Sequence, residues 1–427
     1  MNEKIIFLQL VKDQIKSMEA KKAVELELAG HIEETAKFLI SGGLTREEAE
    51  AKAVRQMGDP VKIGARMGQL HRPKVDWNLL WLFIILHLIG FIPILVTGWD
   101  YQPSLIDKAG DVLLGFLIVL VLMMFDYRKL KEKPWLLMGT AAVALIVFYH
   151  FGLLSIVVYN SPLLWIGPFR SESIIVMPLL FAGWAGILHR YAHRPVLLIC
   201  TFFLSLAVFM PVSRMSNVII YVAMVFLMYL WTIRKKRKQV LGSVAALSVM
   251  LTGYGMIFWK FATPGMKERI MGFLNPEAYK FSSGYMPLQI KKYLSNSGWL
   301  GPTHMREKLV LPESYTDMAF VTVTYTFGWL FAIGLALFLL AVTIRMGWIS
   351  RKTPDPFGQL IVVGAVALYT VPLVYNIGMV LGLLPLAGVS LPFISYGTVP
   401  VILNSILIGL VMSVYRRKDL VGMPAEK

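Results

Sequence analysis

DMAFVTVTYTFGWLFAIGLALFLLAVTIRMGWISRK, residues 317–352, decides the fold. One acid opens the stretch, 27 residues without a formal charge follow at 318–344, and a basic tail closes it. A helix rises 1.5 Å per residue, so about 20 apolar residues cross the ~30 Å hydrocarbon core of a bilayer. This run is long enough, and nothing in it would be at home in a water-exposed loop. Nine more runs of the same kind lie at about 78–98, 110–126, 135–159, 173–189, 195–211, 215–233, 239–262, 357–385 and 394–415. The expected fold is all-α: a polytopic membrane protein of about ten transmembrane helices, with a soluble helical domain at its N-terminus.

Composition agrees with the runs. Of 427 residues, 56% are apolar and 16% charged, where a soluble chain carries about a quarter charged. The formal net charge of +16 would suggest nucleic acid in a soluble protein. Here the positive charge falls in alternate loops: DYRKLKEKP at 126–134, HRYAHRP at 189–195, RKKRKQ at 234–239, RMGWISRK at 345–352 and YRRKDL at 415–420. That is the positive-inside pattern. It excludes nucleic acid as a partner and puts both termini on the cytoplasmic side of a bacterial cell membrane. The opposite loops are poor in Lys and Arg except for a long one at about 263–316, and long translocated loops escape the charge rule. Cys200 is the one cysteine; no intrachain disulfide can form, and its apolar run suggests a buried small hydrophobe.

Residues 1–75 are amphipathic and charged, so no cleavable signal peptide is expected and the first membrane helix would direct insertion. Leu8, Val11, Ile15 and Met18 recur at helical spacing, as do Leu28, Ile32, Ala36 and Leu39. Gly42-Gly43 ends one helix, and Thr45 with Glu48 forms a capping box for the next. That helix stops at Gly58, and Asp59-Pro60 starts another. His31, Glu33 and Glu34 read as a solvated face. The stretch GLTREEAEAKAVRQMGDP at 43–60 resembles a helical prefix domain that precedes membrane segments in various bacterial proteins, which implies docking, regulation or assembly.

The loop at 263–316 exceeds what joining two helices requires, and long loops are often functional. Pro264, Pro276, Pro287, Pro302 and Pro312 exclude one continuous helix. Tyr279, Phe281, Tyr285, Tyr293, Trp299 and Tyr315 alternate with basic residues, as in an interfacial belt or a groove for a polar headgroup.

Recognisable motifs begin here. KERIMGFLNPE at 267–277, SSGYMPLQIKKYLSNSGWLGP at 282–302 and LVLPESYTDMAF at 309–320 resemble the large extracellular loop of the FtsW/RodA/SpoVE family of shape, elongation, division and sporulation proteins. NIGMVLGLLPLAGVSLPFISYG at 376–397, Asn404 and the basic end YRRKDL resemble that family too. The resemblance implies ten transmembrane helices and polymerisation of lipid II into peptidoglycan glycan strands. It also implies a partner, a monofunctional transpeptidase (class B penicillin-binding protein). The family's presumed catalytic carboxylate falls on Asp317, the last residue of Pro312-Glu313-Ser314-Tyr315-Thr316-Asp317.

Such a reaction needs a base for an acceptor sugar hydroxyl and positive charge for a departing polyprenyl pyrophosphate. Asp317, at the outer end of its run, suits the base. Lys291, Lys292, Arg306 and Lys308 are candidates to bind the pyrophosphate, with Glu172, Ser395 and Tyr396 as further substrate-binding candidates. A divalent cation could assist, yet no metal-ligand spacing fixes a site for one. His87 and His150 read as packed or interfacial.

Several residues depart from the pattern. An Arg-Trp pair is Leu164-Trp165. Of Gln-Pro-Ser-Glu only Ser171-Glu172 remains, and the Lys three residues later is Ile175, with Arg170 as a replacement charge. Gln-Pro-Asp-x-Gly-Thr has become Met210-Pro211-Val212-Ser213-Arg214-Met215. The family's Gly-Glu-Glu is Thr324-Tyr325-Thr326, its His is Tyr315, and its Gly-Gly-Ser-Ser is Gly397-Thr398-Val399-Pro400. A fold can outlive its chemistry. A non-catalytic scaffold or regulator of envelope assembly therefore stands beside the glycosyltransferase reading, and a lipid or solute transporter behind both.

Overall fold

The computed structural model describes residues 3–16, 18–70, 73–97, 104–152, 157–158, 161–162, 164–166, 169–261, 263–303 and 309–420. The chain divides into two compact units: residues 1–76 with 352–355 and 414–427, and residues 77–351 with 356–413.

In the first unit, four helices lead: α1 (Glu3–Asp13), α2 (Met18–Ser41), α3 (Arg46–Met57) and α4 (Pro60–Leu70). Their core is small and aliphatic. Phe7, Leu8, Val11 and Ile15 pack with Leu28, Ile32 and Ala36 of α2 and with Ala49, Ala53 and Val54 of α3. Alanine at i and i+4 lets α3 approach its neighbours closely. The capping box forms in full, with Thr45 and Glu48 each meeting the other's backbone N–H. Asp59 caps α4, its Oδ1 accepting from Val61 N at 2.9 Å. His31, Glu33 and Glu34 are exposed. The Met18 side chain lies outside the described residues.

The second unit holds the remaining helices: α5 (Trp77–Ile89), α6 (Ile92–Thr97), α7 (Leu105–Met124), α8 (Pro134–Gly152), α9 (Met177–Tyr191), α10 (Pro195–Phe209), α11 (Met215–Ile233), α12 (Arg237–Phe261), α13 (Pro264–Leu274), α14 (Tyr285–Ser295), α15 (Ala319–Phe327), α16 (Trp329–Lys352), α17 (Pro356–Val380) and α18 (Thr398–Arg417). Helices dominate because hydrocarbon offers no partner for a free N–H or C=O, so each segment must satisfy its own backbone. Among the described residues seven helical spans are long and apolar enough to cross a membrane, and Pro134–His150 is a shorter apolar one. Two small antiparallel hairpins join α8 to α9: β1 (Val157–Val158) with β2 (Ser161–Pro162), and β3 (Leu164–Ile166) with β4 (Phe169–Ser171).

Helices α9, α11 and α17 pack on one another at the centre. Polar groups join neighbours where apolar contact alone gives little preference over lipid. Trp184 Nε1 on α9 donates to Tyr221 OH on α11 at 2.7 Å, and that hydroxyl is 2.6 Å from Ser205 Oγ on α10. His87 is buried and its Nδ1 donates to Phe83 O at 2.9 Å, as expected of a packed histidine.

The structure departs from the sequence expectations in three places. Cys200 is exposed; it shares an outer face of α10 with Ile199, Phe203 and Leu204, where apolar side chains meet lipid rather than protein. The run at 135–159 stops being helical at Gly152. The run at 317–344 is two helices, broken at Gly328 (φ 87°, ψ 172°). The break admits the long loop: Gly298 O accepts from Trp329 N at 3.0 Å and Trp299 O from Leu330 N at 3.1 Å. Those are two of the N–H groups a helix start leaves without an internal partner.

Candidate active site

Asp317 stands two residues before α15, in a turn that Glu313 initiates at φ 56°. Glu313 O accepts from Thr316 N at 3.1 Å and from Met318 N at 2.9 Å, and Thr316 Oγ1 donates to the Glu313 carboxylate. A turn this tight leaves its carbonyls pointing outward, and each of four in a row finds a donor from elsewhere. Thr322 Oγ1 donates to Ser314 O at 2.6 Å, and Tyr396 N to Tyr315 O at 2.8 Å. Ser395 Oγ donates to Thr316 O at 2.7 Å, and Asn376 Nδ2 to Asp317 O at 2.9 Å. The backbone at Asp317 is thus held from α15, from α17 and from the segment before α18.

That segment, 388–397, is non-helical backbone at the end of a helical bundle, tolerated because protein surrounds it. Asn376, fully buried, also donates to Val389 O at 2.7 Å. Ser395 Oγ accepts from Leu391 N at 2.8 Å, and the fully buried Lys108 of α7 donates from Nζ to Ser395 O at 3.0 Å. Phe393 sits at φ 65°, a conformation that costs a bulky residue about 1–3 kcal/mol. Phe83, His87 and Tyr369 ring it at centroid distances of 5.7, 5.1 and 5.6 Å and hold it there.

The Asp317 side chain faces three groups. Ser390 Oγ donates to Oδ1 at 3.3 Å. A Cβ placed on Gly388 would lie 3.2 Å from Asp317 Oδ2 and 3.0 Å from Arg214 Nη1, so carboxylate and guanidinium flank the one residue that has no side chain to separate them. Arg214 Nη2 in turn lies 2.8 Å from Glu172 Oε1. Two serine contacts secure Arg214 on either side: Ser213 Oγ is 2.8 Å from Ser173 Oγ, and Ser216 Oγ donates to Gly388 O at 3.4 Å. Glu172, Arg214 and Asp317 all lie at helix starts, ahead of α9, α11 and α15, which run in alternate order through the bundle. The positive end of a helix favours a carboxylate.

Burial pushes the Asp317 carboxyl up to about 6; Glu313 raises it further, while Arg214 and the Ser390 hydrogen bond hold it down. Burial also raises Glu172, against the pull of Arg214. A carboxylate near neutrality beside a cation can both accept and return a proton under ordinary conditions. Among the described residues no group of three or more His, Cys, Asp or Glu stands where it could hold a metal ion.

Of the residues singled out by sequence, Glu172, Asp317 and Ser395 meet here. Ser395 is buried and its hydroxyl serves the framework. Tyr396 is half-buried and stacks edge-on with Tyr315 at 6.0 Å. Lys291 lies elsewhere, lining a cavity of about 450 Å³ with Trp329, Met379 and Leu384. Lys292 is exposed. Arg306, Lys308 and the Arg170 side chain lie outside the described residues. The cation beside Asp317 is Arg214, which sequence reasoning passed over, together with Ser390, Asn376 and Gly388. One signal pointed to it: Arg214 occupies a short outer connection where Lys and Arg are otherwise scarce.

Asn376→Ala tests the framework. It removes the donor from two buried carbonyls, at roughly 1–3 kcal/mol for each group left unsatisfied. The melting temperature of the purified protein should fall. Because Asn376 positions the Asp317 backbone, catalytic rate should fall about 10- to 100-fold, as measured by steady-state kinetics.

Helices of membrane-crossing length with a carboxylate-centred site at their ends define a polytopic membrane protein, and comparison supplies its family. Residues 76–420 match the family model for FtsW, RodA and SpoVE, described as cell cycle protein; the chain belongs to this family and is a multi-pass protein of the cell membrane. It is 25% identical over 366 residues to the peptidoglycan glycosyltransferase MrdB of Escherichia coli K12, covering 82% of this chain and 96% of the relative. It is 25% identical over 373 residues to the probable peptidoglycan glycosyltransferase FtsW of Enterococcus hirae, covering 81% and 93%. Among solved structures, a chain of a peptidoglycan synthase complex matches with TM-score 0.66 at 18% identity, over 81% of this chain and 98% of that one. The rod shape determining protein RodA of Thermus thermophilus matches with TM-score 0.57 at 16% identity, over 81% and 97%.

Proposed function

We propose that this chain is a peptidoglycan glycosyltransferase that polymerises lipid II during bacterial cell-wall synthesis, with Asp317 as its general base. The acceptor hydroxyl attacks the anomeric carbon of the donor. Asp317 takes the hydroxyl proton, and the carbon–oxygen bond to the pyrophosphate breaks with its electron pair leaving on the pyrophosphate. The observation that carries this reading is the carboxyl of Asp317, raised to about 6 by burial and held beside a guanidinium by a backbone fastened on every side. Relatives named for this activity, matched over most of their length, support it.

The alternation of basic loops places residues 1–75 and both termini in the cytoplasm and the loop at 263–316 outside. Asp317 then faces the side where a translocated lipid-linked precursor arrives. A class B penicillin-binding protein is the partner, in keeping with a structural neighbour that belongs to a synthase complex. The N-terminal helices, with no catalytic cluster of their own, serve docking or regulation.

The test is purified protein in lipid nanodiscs given fluorescent lipid II. A ladder of glycan strands is expected; its absence where MrdB yields polymer overturns the reading. Initial rates at limiting substrate report the free enzyme's base. They should rise about tenfold per pH unit below the Asp317 value of about 6 and level off about one unit above it. A flat profile from pH 4 to 8 would remove Asp317 as the base.

A further inference from the structure

We propose that Arg214 is the side chain that takes the diphosphate of the lipid-linked donor, supplying from residue 214 the positive charge that the family pattern places at residue 175. This rests on the glycosyltransferase reading and names the binding group within that site.

Three observations carry it. First, position 175 is isoleucine, and the turn it occupies is a 3-10 helix, Ser173–Val176, with Ile175 N bonded to Glu172 O at 3.1 Å. Side chains three apart eclipse in such a turn, so a cation at 175 would lie over Glu172. Second, Arg214 reaches that place from the neighbouring connection, with Nη2 at 2.8 Å from Glu172 Oε1 and Nη1 turned to Gly388 and the Asp317 carboxylate. Third, the pair is open to a ligand: the side chains of Arg214 and Glu172 are 23% and 27% exposed. Lys291 and Lys292, by contrast, do not join this site.

The chemistry suits arginine. As the glycosidic bond forms, the bond from the anomeric carbon to the diphosphate oxygen breaks and its electron pair stays on that oxygen. The acceptor proton goes to Asp317, and the diphosphate departs one negative charge richer. A guanidinium meets phosphate oxygens with paired, parallel N–H donors and keeps its charge at any working pH. Glu172 fixes one edge of the guanidinium and leaves the other directed at the reaction. The same Nη1 edge keeps Asp317 from rising further, so loss of Arg214 removes both the anion site and part of the base's poise.

The test uses the full chain in nanodiscs, with undecaprenyl diphosphate and undecaprenyl monophosphate as paired probes and lipid II as substrate. Arg214→Ala should weaken diphosphate binding at least about tenfold, monophosphate binding about threefold or less, and polymerisation about 100-fold. Arg214→Lys should retain a point charge and lose about tenfold in rate, the bidentate geometry being gone. Adding Ile175→Lys to Arg214→Ala should restore about tenfold in both diphosphate binding and rate, which repair of packing alone would not do. Should Arg214→Ala not yield folded protein, Arg214→Gln keeps the length and hydrogen bonding without the charge and is read in the same way. Equal losses for the two lipids, or no recovery with Ile175→Lys, overturns the inference. If the wild type makes no polymer, the glycosyltransferase reading falls while the paired binding measurements still decide Arg214. If Asp317→Asn abolishes polymer and Arg214→Ala does not lower it, the inference falls alone.

Discussion

Asp317→Asn is expected to lower lipid II polymerisation by about 10²–10⁴-fold, the usual contribution of a positioned general base. Asparagine has the same shape and can still accept the Ser390 hydrogen bond that now reaches Asp317 Oδ1, so the turn and its four fastened carbonyls should persist. Only the basicity goes. A stability measurement separates this from damage to the fold. Burial raises the folded carboxyl from 3.8 to about 6. A group shifted upward in this way costs the folded state progressively as pH rises from the unfolded value to the folded one, and the cost is complete above it. An amide, neutral throughout, escapes that cost. The variant should therefore melt higher than wild type above pH 6, with the gain fading below pH 4. An inactive protein of raised stability is the signature of a functional carboxylate kept where it is energetically uncomfortable. Retention of more than about a tenth of the wild-type rate would contradict the assignment.

Gly328→Ala is the largest expected loss of stability. Its backbone, at φ 87° and ψ 172°, belongs to a region that essentially only glycine enters, at a cost of about 1–3 kcal/mol for other residues. A methyl there would also collide with the carbonyl oxygen of Trp299 and lie 2.5 Å from Gly301 N. Both are backbone atoms of the loop that supplies acceptors to the start of α16, so neither can turn aside. Overpacking adds a further ~1–3 kcal/mol. Together these predict a fall in melting temperature on the order of 5–10 °C, with disturbance spreading to the long loop. Gly334→Ala, in the same helix α16 with nothing within 4 Å of the added methyl, is the control and should be near silent. A Gly328→Ala protein that melts with that control would mean the loop does not depend on the break.

Sequence and structure divide this protein unevenly. The helices were legible because hydrophobicity is a local property: each of the ten apolar runs falls on helix. The capping box at Thr45 and Glu48 was legible for the same reason, its partners lying within one turn. Asp317 stood out through the resemblance of its surrounding motif. Other features could not be read in this way. Cys200 has an apolar context either way, and only the packing of α10 shows that its face meets lipid. The run at 317–344 gives no local sign of a break beyond one glycine, since the conformation at Gly328 is demanded by a loop inserted from residues 298–301. The site itself is assembled from Glu172, Arg214, Asn376, Gly388 and Ser390, brought to Asp317 from four separate parts of the chain.

What the sequence alone determined is thus the kind of molecule: apolar runs that must bury themselves in lipid as helices, a small alanine-rich helical domain ahead of them, and one carboxylate at a helix end. Only the tertiary structure decided which cation that carboxylate meets. Ion pairing acts through space over a few ångströms, and residues 214 and 317 become neighbours only when α11 and α15 have packed and Gly388 has left room between them.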